Sequence, residues 1–174
     1  TGSASDGEVE DYEIEITSPV ATSGVFGDQN IISTTADGAM SVFAVDVDGD
    51  GDMDVLSASQ TDDNITWYEN DGSQNFTAHT ISTTADRVNS VFAIDVDGDG
   101  DIDVLSASMN DNTIAWYEND GSQTFTPHTI STSIGGAKSV FASDVDGDGD
   151  VDVLSTGTGG TVAWHENDGN EGFS

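Results

Sequence analysis

Three runs of alternating aspartate supply most of the chemistry this chain could do. They are Asp46-Val-Asp-Gly-Asp-Gly-Asp-Met-Asp54, Asp95-Val-Asp-Gly-Asp-Gly-Asp-Ile-Asp103 and Asp144-Val-Asp-Gly-Asp-Gly-Asp-Val-Asp152, each beginning 49 residues after the one before. Carboxylates at positions 1, 3, 5 and 9 of such a run are spaced to wrap a hard cation in oxygen. The side-chain set is Asp46, Asp48, Asp50 and Asp54 in the first run, Asp95, Asp97, Asp99 and Asp103 in the second, and Asp144, Asp146, Asp148 and Asp152 in the third. Asp52, Asp101 and Asp150, at position 7, would each add a peptide oxygen. Glycine at position 6 (Gly51, Gly100, Gly149) permits the sharp turn that aims these groups inward. An all-oxygen set suits calcium, because magnesium keeps its water and softer metals want nitrogen or sulfur. Three Ca2+ ions, one per loop, are expected.

One such run is an ordinary acidic turn. Three in the same register, flanked by near-identical sequence, are not. The loops are not EF-hands: position 12, where a bidentate Glu belongs, is Ser57, Ser106 and Ser155. The sequence that follows, Val-Leu-Ser, reads as strand rather than helix.

No other chemistry emerges. There is no cysteine, hence no thiolate and no disulfide framework. No nucleophile elbow and no H-E-x-x-H pattern occurs. A calcium-saturated aspartate is a poor general acid, so no catalytic residue is assigned and the chain is read as no enzyme. His79 and His128 hold equivalent positions, which points to a structural role; His165 replaces Tyr68 and Tyr117 in one unit only and reads as a surface residue. The chain has 34 acidic and 2 basic residues, a net charge of −32. Such a surface repels phosphate, which excludes nucleic acid and direct membrane insertion as partners. It suits a salty, calcium-rich medium, where the repulsion is screened.

The elements that must position the loops repeat with them. Ser41-Val-Phe-Ala44, Ser90-Val-Phe-Ala93 and Ser139-Val-Phe-Ala142 open the units. Trp67, Trp116 and Trp164 recur at 49 and then 48 residues, so the third unit has lost one residue, in the turn Gly157-Thr-Gly-Gly-Thr161. Each unit predicts four short strands, in the first about 41–45, 55–59, 65–69 and 76–81, with a hairpin at Asn70-Asp-Gly72. Four strands per 40–50 residues is the arithmetic of a β-propeller blade. The predicted fold is all-β: tandem four-stranded antiparallel β-propeller blades, three in number, incomplete or open. The tryptophans are expected in the core between blades.

Units of the form SVFAxDVDGDGDxDVL…WYENDG resemble the FG-GAP/VCBS repeats of secreted bacterial proteins, related to the calcium-bearing blades of integrin α-chain propellers. The resemblance covers residues 24–174, in blades of about 24–86, 87–135 and 136–174. It implies that each loop joins the first two strands of a blade and holds one calcium. It further implies a secreted or cell-surface bacterial protein, whose partners are a protein or glycan at the cell surface.

Asp6-Gly-Glu-Val-Glu-Asp-Tyr-Glu-Ile-Glu-Ile16 alternates apolar and acidic residues, reads as a strand, and resembles a closing GEVEDY strand; residues 1–18 are read as the end of a preceding module or a linker strand. Residues 24–34 align with a fourth strand lacking its first three, while the last unit lacks a fourth strand. The two defects are complementary, which suggests head-to-tail strand exchange with a second copy. The leading functional expectation is a non-catalytic extracellular calcium-binding segment for adhesion or cell-surface architecture. The alternatives are a carbohydrate-binding module of a secreted enzyme, with Trp67, Trp116, Tyr68 and Tyr117 as exposed platforms, and a self-assembling extracellular fibre subunit.

Overall fold

Strand-forming Ser-Val-Phe-Ala, Val-Leu-Ser and Trp-Tyr-Glu segments alternate side chains between two faces, and each unit closes on itself as an antiparallel sheet. The computed structural model describes residues 28–170 and 172–174. The first sheet comprises β1 (Ala39–Val45), β2 (Asp54–Ser59), β3 (Asn64–Asn70) and β4 (Phe76–Ser82), in that spatial order. The second comprises β5 (Val88–Ile94), β6 (Asp103–Ser108), β7 (Thr113–Asn119) and β8 (Phe125–Ser131). The third has β9 (Ala137–Ser143), β10 (Asp152–Gly157) and β11 (Val162–His165), with β10 in the middle. No helix occurs among the described residues, and none of the sheets closes into a barrel. These are open repeat blades.

Register fixes which side chains share a face. In the first blade Phe43 lies opposite Leu56, Leu56 opposite Trp67, and Trp67 opposite His79. The second repeats this row as Phe92, Leu105, Trp116 and His128, and the third as Phe141, Leu154 and Trp164. We call this the back face. The neighbouring row, Ala44, Val55, Tyr68 in the first blade, Ala93, Val104, Tyr117 in the second, and Ala142, Val153, His165 in the third, lies on the front face.

The core is made where one blade's back meets the next blade's front. Leu56, Ile65 and Trp67 of the first blade pack with Val91, Ala93, Val104 and Tyr117 of the second. Leu105, Ile114 and Trp116 pack in the same way with Val140, Ala142 and Val153 of the third. Polar ties follow the same step: Val91 N–H donates to Ser41 Oγ and Val140 N–H to Ser90 Oγ, both at 3.3 Å. The rings of Phe43, Phe92 and Phe141 form a ladder through the inner strands, with centroids 4.8 and 4.6 Å apart.

The lost residue of the third unit shortens the β10–β11 turn, as expected. Glycines at positive φ (Gly159 and Gly160, both 88°) replace the longer turns that carry Asp63 and Asn112 at φ 57° and 60°. Two expectations fail. Residues 28–34 form no strand, so this part of the expected surplus fourth strand is not formed; residues 24–27 lie outside the described residues, as does the expected strand at 6–16. His165 is not a surface residue. It occupies the buried tyrosine position and is only 8 % exposed, with its Nε2 2.9 Å from Ser155 Oγ.

Candidate metal centres

Each aspartate run bridges the first and second strands of a blade, and its backbone is organised by its own carboxylates. Asp46 accepts from Gly49 N–H (2.8 Å) and Gly51 N–H (2.9 Å), one with each oxygen. Asp48 and Asp50 accept from the amides of Asp50 (3.2 Å) and Asp52 (2.8 Å). The same bonds recur around Asp95, Asp97 and Asp99 and around Asp144, Asp146 and Asp148. Such bonds curl the loop and turn the carboxylates toward one point. The position-6 glycines make the turn possible: Gly51, Gly100 and Gly149 sit at φ 97°, 100° and 104°, where a side chain would be strained.

The result is convergence. One carboxylate oxygen from each of Asp46, Asp48 and Asp50 lies within 4.8 Å of the others. So do those of Asp95, Asp97 and Asp99, and those of Asp144, Asp146 and Asp152. The three clusters could hold metal ions. Their donors are all hard oxygens, and the residues fit a calcium ion better than any soft metal. Position 3 registers the crowding: burial first, and then neighbouring carboxylates, push Asp48, Asp97 and Asp146 above the usual aspartate range. A cation would remove that repulsion.

Position 9 does a second job. Asp54, Asp103 and Asp152 are buried, and each accepts two amide hydrogens with its two oxygens. Asp54 accepts from Val47 and Asn70, Asp103 from Val96 and Asn119, and Asp152 from Val145 and Asn167, at 2.8–3.1 Å. The carboxylate thus clamps the start of the loop to the end of the third strand. Desolvation pushes Asp103 up to about 6 despite those amides. Burial also acts on Asp152, but the Asn167 and Val145 amides and the Trp164 indole outweigh it and hold this carboxyl below its ordinary value. The side chains of Asp52, Asp101 and Asp150 turn away, against Gly72, Gly121 and Gly169, where a Cβ would collide with them. These three side chains are not among the converging carboxylates.

Residue-by-residue reading of the loops missed their asparagine supports. Asn70, Asn119 and Asn167 donate side-chain N–H groups to the carbonyls of Met53, Ile102 and Val151, at 3.1–3.2 Å. Asn167 also reaches the Val96 carbonyl at 3.3 Å, tying the third loop to the second. These two loops and Asn167 line an open cleft of ≈ 570 Å³. The recurrence of Asn-Asp-Gly with every loop is the sequence signal of these supports.

The chain matches the FG-GAP-like repeat at residues 46–106 and 95–155. It belongs to this family. Each matched segment begins at the first residue of one aspartate loop and ends within the strand that follows the next. No curated protein matches the chain. Among the described residues, no helix is long and apolar enough to cross a membrane.

Proposed function

We propose that this segment is a non-catalytic, calcium-binding repeat module of an extracellular or cell-surface bacterial protein, serving adhesion or surface architecture. The observation that carries the reading is the threefold convergence of carboxylates on loops with the same internal bonding. Calcium at all three loops would neutralise the densest charge on a chain of net charge −32 and lock the first and second strands of each blade together. The FG-GAP-like family supports the extracellular setting. The surface partner would be a protein or a glycan.

The rings named for the sugar-binding alternative do not support it. Trp67, Trp116, Tyr68 and Tyr117 are all buried, and Trp67 and Trp116 stack on His79 and His128 at 4.7 and 4.6 Å. Those histidines pair with Glu69 and Glu118 at 2.7 Å, which explains why they repeat.

Isothermal titration calorimetry tests the metal reading. Three calcium ions per chain are expected, with dissociation constants of roughly 10⁻⁴–10⁻³ M. At tenfold excess each would stabilise the fold by about 1.4 kcal/mol. No calcium heat, together with an unchanged melting curve in chelator, would overturn it.

A further inference from the structure

Asn167, which follows β11, is 3 % exposed, and every polar atom of its side chain is engaged. Its Nδ2 donates to the Val151 carbonyl at 3.1 Å and to the Val96 carbonyl at 3.3 Å, and its Oδ1 accepts from Gly169 N–H at 3.1 Å. The two carbonyls lie in different loops. That of Val151 is in the peptide joined to Asp152, and that of Val96 in the peptide joined to Asp97. Both aspartates belong to converging clusters, those of the third and second loops. The clamp carboxylates are drawn in as well. Asp152 accepts the Asn167 backbone N–H at 2.9 Å, and Asp103 accepts Val96 N–H at 3.0 Å. A continuous line of hydrogen bonds therefore runs from Asp103, through the backbone of Val96 and through Asn167, to Asp152. The step from the first loop to the second lacks this link. Asn119 holds the equivalent place and is as buried, at 2 % exposed, yet its Nδ2 donates to Ile102 at 3.2 Å and not to Val47, the counterpart of Val96.

We propose that Asn167 is a positioning residue that couples the second and third metal centres, so that filling either loop raises the affinity of the other. This rests on the calcium reading of the loops. The Asn167 amide holds both carbonyls only while both loops are in place. Ordering one loop fixes the amide, and the neighbouring loop then gives up less freedom when it orders. Such coupling is reciprocal between the two sites. One hydrogen bond between buried groups supports a factor of about five in affinity.

Charge acts in the opposite sense. A cation in one loop lowers the negative potential that draws a second cation to its neighbour. Salt screens this long-range effect and leaves the hydrogen bonds in place, so titration at about 0.5 M salt isolates the coupling that Asn167 carries.

Calcium titration of the full chain carrying Asp46→Ala, which leaves the second and third loops, provides the test. Adding Asp95→Ala or Asp144→Ala leaves a single loop and gives its association constant alone. The product of the two constants in the two-loop chain should exceed the product of the single-loop constants about fivefold. Asn167→Ser shortens the side chain and removes the amide, and should bring that factor to one. A merely structural role would lower the single-loop constants and leave the factor unchanged. Hydrogen exchange supplies a second readout that does not depend on the serine variant folding well. In the chain with Asp46→Ala and Asp95→Ala, calcium at the third loop should slow exchange of the Val96 amide in the second. A factor of one in chains that keep Asn167 would overturn the proposal, as would unchanged exchange at Val96 or a fivefold factor that persists in Asn167→Ser. If neither single-loop chain binds calcium, the metal reading fails and the coupling with it; binding without coupling sinks this inference alone.

Discussion

The second and third blades carry the same aspartate loop except at one position, Ile102 against Val151, and the same Trp on the strand that backs it. Their surroundings differ. The second blade is covered on both faces, the third on its front alone, and Trp116 is 1 % exposed where Trp164 is 43 %. The difference reaches the clamp carboxylates: burial drives Asp103 up to about 6, while at Asp152 the hydrogen bonds prevail and the pKa falls. A repeat protein distributes stability through nearest neighbours, so equal sequences acquire unequal energetics from position alone.

The tryptophans should show the contrast most strongly. Trp116→Ala removes a side chain fully enclosed by two blades and should cost about 3–5 kcal/mol. Trp164→Ala, on an open face, should cost roughly 1–2 kcal/mol in the monomer, in proportion to the smaller area it buries. Urea midpoints of the two variants in calcium check this, and comparable losses would mean that the third blade is covered.

A smaller separation is expected between Asp95→Ala and Asp144→Ala. Each removes the residue that anchors two loop amides, and each should abolish one calcium site. Loosening the second loop disturbs neighbours on both sides, so the melting temperature should fall further for Asp95→Ala, by a margin of about 1 kcal/mol in stability. Equal melting temperatures would break the comparison.

The finest test uses pH in the absence of metal. Asp103 has a folded pKa above that of the unfolded chain, so folding takes up a proton between about 4 and about 6. Its contribution therefore grows as pH falls through 6 and is lost as pH rises through it. Asp152, with a lowered folded pKa, has the opposite sign: its contribution holds above the unfolded value and is lost in stronger acid. In chelator, Asp103 should favour a higher melting temperature at pH 5 than at pH 7, against His165, whose burial lowers its pKa and costs stability over the same range; Asp103→Asn should therefore shift the trend toward destabilisation at pH 5, while Asp152→Asn should not. With calcium bound the trend should reverse, because protons compete with the ion for the same oxygens.

Much of the site was legible in the residues. The aspartate spacing, the position-6 glycines and the 49-residue period marked where carboxylates gather and which strands the loops join, although Asp54, Asp103 and Asp148 of the expected sets lie outside the three clusters. These are local properties: a nine-residue loop closes on its own amides, and strand alternation assigns faces without reference to the rest of the fold. His165 shows where that reasoning stopped. Its occurrence in one unit only suggested the surface, but its place in the repeat frame made it a core residue, and the frame was the better guide. The asparagine supports escaped for a related reason, since their partners are carbonyls 16–71 residues away.

By itself, then, the sequence determined the repeat, the loops and the two faces of each sheet. Only the tertiary structure decided which copy of a repeated residue is enclosed. Phe92 and Phe141, or Val96 and Val145, are the same residue in the same frame. What separates them is whether another blade lies against them, and burial is a property of the assembled neighbours rather than of the side chain.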